Sequence, residues 1–96
     1  MPAYIVVHVE VTDPETFVRD YAPGVQATVE KYGGRYLARG GRMETLEGDW
    51  GPHRVVLTEF PSVEQAKAWW DSPEYRPLKA IRQKTATTNM IVVEGV

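Results

Sequence analysis

Tyr32-Gly33-Gly34-Arg35-Tyr36-Leu37-Ala38-Arg39-Gly40-Gly41 sets two glycine pairs on either side of a short strand-like segment. Gly33-Gly34 reads as a helix stop, because glycine enters the left-handed cap conformation without a Cβ clash. Gly40-Gly41 marks a bend, bulge or close backbone approach just beyond Arg39. The block therefore joins the end of a helix to a strand, and the elements on either side of it decide the fold.

Upstream, Tyr4-Ile5-Val6-Val7-His8-Val9-Glu10-Val11 alternates as a strand does. Ile5, Val7, Val9 and Val11 form one apolar face, expected under helices, while Tyr4, Val6, His8 and Glu10 form a mixed one. Thr12-Asp13-Pro14-Glu15 is a helix start: Thr12 with Glu15 fits a capping box, and Pro14 falls in the first turn. Phe17, Tyr21, Val25, Val29 and Tyr32 then form an apolar stripe, which Pro23-Gly24 should kink or split.

Downstream, Arg35 to Gly40 reads as the second strand, with Glu44 to Gly48 extending it or starting a hairpin arm. Arg54 to Phe60 is a third strand, rich in β-branched residues. Ser62 with Gln65 repeats the capping-box logic before a helix through Trp69-Trp70. Ser72-Pro73 starts a further helical piece with Leu78, Ile81 and Thr85 on one side, its first turn made irregular by Pro77. Asn89 to Glu94 is the last strand. The order β-α-β-β-α-β is that of a ferredoxin-like α+β domain with an antiparallel sheet, spanning residues 1–96 as one unit.

Composition excludes several classes. The chain has 96 residues, of which 43% are apolar, as in an ordinary globular domain near the lower size limit for a core. With no cysteine, a disulfide framework, a thiolate metal site and a cysteine nucleophile are all excluded. The net charge of −2, with 11 scattered Lys and Arg, offers no footprint for nucleic acid. No apolar run approaches the roughly 20 residues of a membrane span. The N-terminus already reads as a strand, so a cytoplasmic location is the expectation. Two histidines give poor support for a metal site, and none is expected.

Several blocks in order carry a family resemblance: Thr12-Asp13-Pro14-Glu15, Tyr32-Gly33-Gly34-Arg35-Tyr36, Arg39-Gly40-Gly41, Leu46-Glu47-Gly48 and Arg54-Val55-Val56. Glu59-Phe60-Pro61-Ser62, Ser72-Pro73-Glu74-Tyr75, Arg82 and Val92-Val93-Glu94-Gly95 continue it. Over essentially its whole length the chain resembles the bacterial family called domain of unknown function 1330. The resemblance implies a homodimer in which two ferredoxin-like protomers pack sheet against sheet as a dimeric α/β barrel. It implies no activity, because the family has none established.

In such a frame His8 and Glu10 point toward the barrel interior, and Arg39 and Glu59 lie near neighbouring strand ends, where they could pair bidentately. His8, Arg39 and Glu59, roofed by Trp70, Tyr75 and Arg82, are the candidate pocket for a small anionic or aromatic molecule. Each also has a structural reading: an interface histidine, an ion pair, a tryptophan at a protomer boundary. Tyr75 and Arg82 share a helical face only if the helix is continuous past Pro77. Two functions follow. One is a cofactor-free enzyme with His8 or Glu59 as proton carrier and Arg39 as the partner of an oxyanion or carboxylate. The other is a non-catalytic structural or ligand-binding homodimer, in which these groups satisfy one another. No cofactor is expected, since haem rests only on His8 and fold analogy.

Overall fold

The computed structural model describes all residues, 1–96. Strand β1 (Ala3–Val11) buries Ala3, Ile5, Val7 and Val9 and turns Tyr4, Val6 and His8 to the other side, as its alternation requires. Strands β2 (Arg35–Arg39), β3 (Val55–Phe60) and β4 (Ala86–Glu94) complete a four-stranded antiparallel sheet of order β2-β3-β1-β4. That order with two helical crossovers is the split βαβ topology expected from the sequence. The helices cover one face only. No helix is long and apolar enough to cross a membrane.

The first crossover is one rod made of three pieces: α1 (Pro14–Thr16), a π-helical turn (Phe17–Tyr21) and α2 (Ala22–Lys31). Its cap differs from the expected Thr12 box. Asp13 Oδ1 accepts the Thr16 N–H at 3.3 Å. The backbone N–H groups of Thr12 and Asp13 instead donate to Thr85 O, tying the end of β1 to the end of the last helix. Nor does Pro23-Gly24 split the rod. Pro23 lacks an N–H and would crowd the carbonyl of Arg19, so the wider π turn just before it absorbs the misfit. Phe17, Tyr21, Val25 and Val29 all stay buried.

Gly33 and Gly34 end the rod in a Schellman arrangement. Gly33 has φ +82°, its N–H donates to Glu30 O at 3.0 Å, and Gly34 N–H donates to Val29 O at 3.0 Å. At Gly34 a Cβ would fall 2.7 Å from the Phe60 ring, so helix and sheet meet there at backbone distance. Beyond Arg39 the expected Glu44–Gly48 strand does not form. Gly40, Gly41, Gly48, Gly51 and Pro52 interrupt any ladder, and residues 40–54 run as an exposed connection.

The second crossover holds α3 (Val63–Trp70) and α4 (Arg76–Thr85). Ser62 Oγ caps α3 by accepting Gln65 N–H at 3.1 Å. The Gln65 side chain does not close the box; it donates to Tyr32 O, at the end of α2. Trp69 packs inside, 4.2 Å from the Tyr75 ring and 5.6 Å from Phe60, with its Nε1–H donating to Thr28 Oγ1. Stacked aromatics of this kind contribute several kcal/mol to a core, since truncating one costs about 3–5 kcal/mol. Strand β4 begins at Ala86 rather than Asn89, because its pairing with β1 continues to Val11.

The crossovers are also joined at the surface. Glu74 receives hydrogen bonds from the Lys31 ammonium and from Tyr32 Oη, the latter at 2.7 Å. Those donors hold its carboxyl at about 2, well below the usual 4.5. A depressed carboxylate pKa stabilises the fold above the unfolded value, and this contribution disappears as pH falls through the folded one. Glu74→Gln is therefore expected to lower the denaturation midpoint at neutral pH, with the deficit closing as pH drops from about 4.5 toward about 2. Parallel urea titrations across that range check it; a pH-independent deficit counts against it.

Candidate functional site

One bulge sorts the candidate residues. Arg35 pairs with Glu59 and Tyr36 with Thr58, but Ala38 pairs with Leu57 and Arg39 with Val56, so Leu37 is an extra residue in β2. Strict alternation would have put Arg35 and Arg39 on the same face as Glu59. The extra residue reverses Arg39 and sends it to the helix side with Val56 and Tyr36. The expected Arg39–Glu59 pair is thereby replaced: Arg35 Nε donates to Glu59 Oε1 at 2.7 Å on the open face. The Arg39 guanidinium lies 4.6 Å from the Tyr36 ring centroid and donates to Ala22 O at 3.2 Å.

Between sheet and helices lies a cavity of about 60 Å³. Its polar lining is Tyr21, Tyr36, Arg39, Arg54, Thr58 and Arg82; the rest is mostly aliphatic and aromatic. Arg82 is buried, and its Nε–H donates to Tyr75 Oη at 3.1 Å. Helix α4 is therefore continuous from its first turn, with Pro77 accommodated there, and Tyr75 and Arg82 do share a face. Tyr75 Oη lies 2.8 Å from Tyr21 Oη. Burial pushes the Tyr21 hydroxyl far up and the Tyr36 hydroxyl up, so both stay protonated near neutrality. Gly40, at φ +69°, makes room for Arg54: a Cβ there would come within 2.6 Å of Arg54 Nη1.

None of Arg39, Arg54 and Arg82 has a carboxylate partner among the ion pairs of the protein. A guanidinium cannot shed its charge, and one as buried as Arg82 carries a desolvation cost that a neutral phenol offsets only in part. Arg39 is exposed and Arg54 half-buried, so it is the buried Arg82 that makes the cavity suited to negative charge. A larger groove of about 510 Å³ adjoins it, sharing Ile5, Arg82 and Met90 and walled by Lys67, Trp70, Ile91 and Val92.

The remaining candidates lie elsewhere. His8 and Glu59 are on the open face, across the sheet from the cavity. His8 Nε2 accepts the His53 N–H at 3.1 Å and its ring stands 5.7 Å from Trp50, so the 40–54 connection folds over it. Trp70 is on the groove beside Arg82, and Tyr75 is fully buried behind it. Tyr21, Tyr36 and Arg54 were not singled out from sequence. Tyr21 carried a signal, being a residue with a polar tip inside an apolar stripe; Arg54 carried only its place in the Arg54-Val55-Val56 block.

A split βαβ sheet over a small cavity lined in part by three arginines, with a larger groove beside it, defines a ferredoxin-like α+β domain. The chain belongs to the family described as "Domain of unknown function (DUF1330)", which it matches over residues 2–96. No curated protein matches its sequence. Among solved structures it is similar to a protein of unknown function from Rhodopseudomonas palustris, at 21% identity and TM-score 0.78, covering 99% of this chain and 82% of that one. It is also similar to SnoaB, a cofactor-independent oxygenase from Streptomyces nogalater, at 11% identity and TM-score 0.65, covering 99% and 93%. A dimeric protein of unknown function and ferredoxin-like fold from Bacteroides fragilis matches at 16% identity and TM-score 0.61, covering 98% and 96%. At such identities the likeness establishes the fold.

Thr88 lines the groove, and its Oγ1 is buried without a hydrogen-bond partner. Replacing an unsatisfied hydroxyl by an isosteric methyl removes a desolvation cost. Thr88→Val is expected to leave stability unchanged or raise it by up to about 1 kcal/mol in urea denaturation. A loss of that size would show that the hydroxyl has a partner.

Proposed function

We propose that the protein is a homodimer, closed sheet to sheet as an α/β barrel, in which each protomer binds a small organic anion between sheet and helices. The observation that carries the binding site is the buried Arg82, joined by Arg39 and Arg54 around one cavity with no acidic partner for any of them. The lining combines apolar walls with a few converging polar groups, the usual make-up of a small-molecule site. Its phenols and guanidiniums stabilise negative charge, as on a carboxylate or an enolate oxygen. The residues expected as proton carriers, His8 and Glu59, are on the opposite face, so the site supports binding and charge stabilisation rather than proton abstraction by those two. SnoaB is a cofactor-independent oxygenase on a similar fold, which makes turnover of the bound anion without a cofactor a reasonable extension by analogy.

The dimer rests on the uncovered face. Leu37, Ile91 and Val93 are exposed there, Tyr4, Val6, Val55 and Leu57 are half-buried, and charged groups such as Arg35, Glu59 and Glu10 lie among them. A contiguous apolar patch with a polar rim is the mark of an interface. The Bacteroides fragilis neighbour is itself a dimer, which supports a homodimer here.

Acetate, pyruvate, benzoate and inorganic phosphate, each titrated against thermal unfolding, test the site. At a hundred times its Kd a ligand stabilises by about 2.7 kcal/mol, which for a domain of this size raises Tm by roughly 10–20 °C. At least one carboxylate is expected to do so, with the shift reduced in Arg39→Ala and abolished in Arg82→Met. A flat response from the wild type to all four overturns the reading. Sedimentation tests the assembly: the wild type is expected at twice 10.9 kDa. Val6→Asp, placed between Leu57 and Ile91 on the open face, is expected to sediment at half that mass with its circular dichroism retained. A wild type that is monomeric at micromolar concentration removes the dimer.

A further inference from the structure

The polar groups beneath the sheet form a chain whose direction follows from counting protons. A guanidinium only donates, so Arg82 Nε–H gives its proton to Tyr75 Oη, 3.1 Å away. The contact of 2.8 Å between Tyr75 Oη and Tyr21 Oη could be donated from either side. If Tyr21 donated, the Tyr75 proton would be stranded. Tyr75 is completely buried, lines neither the cavity nor the groove, and its hydroxyl is hydrogen-bonded to Arg82 and Tyr21 alone. A stranded buried donor is costly and rare. If Tyr75 donates, both contacts are satisfied and one proton is left over, that of Tyr21. Tyr21 is 8% exposed and lines the cavity.

We propose that Tyr21 is the hydrogen-bond donor to the bound anion, and that Tyr75 and Arg82 are positioning residues that set the direction of its hydroxyl. The assignment rests on the anion-binding reading above and narrows it. Successive hydrogen bonds polarise one another, so the charge on Arg82 strengthens the donor at the far end. The raised pKa of Tyr21 keeps its proton in place at neutral pH, as a donor requires. The cavity of about 60 Å³ restricts the ligand class. A cavity of about 150 Å³ holds a six-carbon ring, so this one holds roughly two to three non-hydrogen atoms, enough for the charged end of a ligand. The structure thus points to a short-chain carboxylate such as pyruvate, with an oxygen facing Tyr21 and its remaining atoms toward the adjoining groove.

Pyruvate labelled with ¹³C at its carboxylate is the probe, with affinity read by calorimetry and the bound carboxylate shift by NMR. Tyr21→Phe is expected to weaken pyruvate about tenfold to a hundredfold, the usual worth of a hydrogen bond to a charged group. It should also move the bound ¹³C resonance, and it is expected to lower the ligand-free Tm, because it removes the acceptor of the buried Tyr75 proton. Tyr75→Phe is expected to weaken pyruvate less and to move the same resonance, which a purely structural role would not do. Equal affinity and equal ¹³C shift in wild type and Tyr21→Phe, with binding still lost in Arg82→Met, overturns the donor and leaves the anion site standing. Benzoate bound more tightly than pyruvate overturns the ligand class. Neutron diffraction of deuterated crystals decides the direction without any ligand. Deuterium is expected on Tyr75 in its contact with Tyr21, and on Tyr21 toward the cavity; the reverse placement overturns the proposal, whereas failure of every carboxylate to bind the wild type overturns the anion reading beneath it.

Discussion

The extra residue in β2 is the constraint on which the site depends. Side chains along a strand change face at every step, so one inserted residue reverses all that follow it. Leu37 takes that place, and Arg39 crosses from the face of Glu59 to the face of the helices. Tyr36 and Arg39 then lie on one side, close enough for the guanidinium to sit over the ring. Without the bulge the cavity would lose one of its three guanidiniums and the open face would gain a second arginine beside Arg35.

The sheet thereby separates two environments. Beneath it, the apolar stripe of the first helical rod and the Trp69–Tyr75 stack enclose a polar chain from Arg82 through Tyr75 to Tyr21. Low polarity around such a chain strengthens each of its contacts and makes any unsatisfied member expensive, so its geometry is tightly specified. Above it, His8, Glu10 and Glu59 share with aliphatic residues a face that no helix covers, and their contacts are exposed ones that contribute little individually. The glycines serve the same division. Gly34 lets the rod meet Phe60 at backbone distance, and Gly40 leaves space for Arg54 at the cavity wall.

Much of the fold was legible in the chain. The period of two in Ala3–Val11, the four-residue spacing from Phe17 to Val29, the Gly33-Gly34 stop and the Ser62 cap each follow from local chemistry, and each element formed near its expected place. Local chemistry also set the limits. The first cap moved from Thr12 to Asp13 because the Thr12 backbone is engaged by Thr85, a partner far away in sequence. The start of β4 moved for the same kind of reason, since a strand continues as long as its neighbour does.

The site was legible in residue type and not in position. Arg39, Tyr75 and Arg82 could be picked out as chemistry-bearing residues, and so could His8 and Glu59, but nothing local says which face of a sheet a residue reaches after a bulge. The order of elements and their apolar faces follow from the chain, because they depend on periodicity and on glycine, proline and capping side chains, whereas helix ends follow only to within a few residues. Folding in three dimensions takes Arg39 away from Glu59, brings Arg54 and Tyr21 to Arg82 around one cavity, and leaves His8 outside it. Those outcomes depend on cross-strand register and on contacts between residues as far apart as Tyr21 and Tyr75, which no short-range pattern encodes.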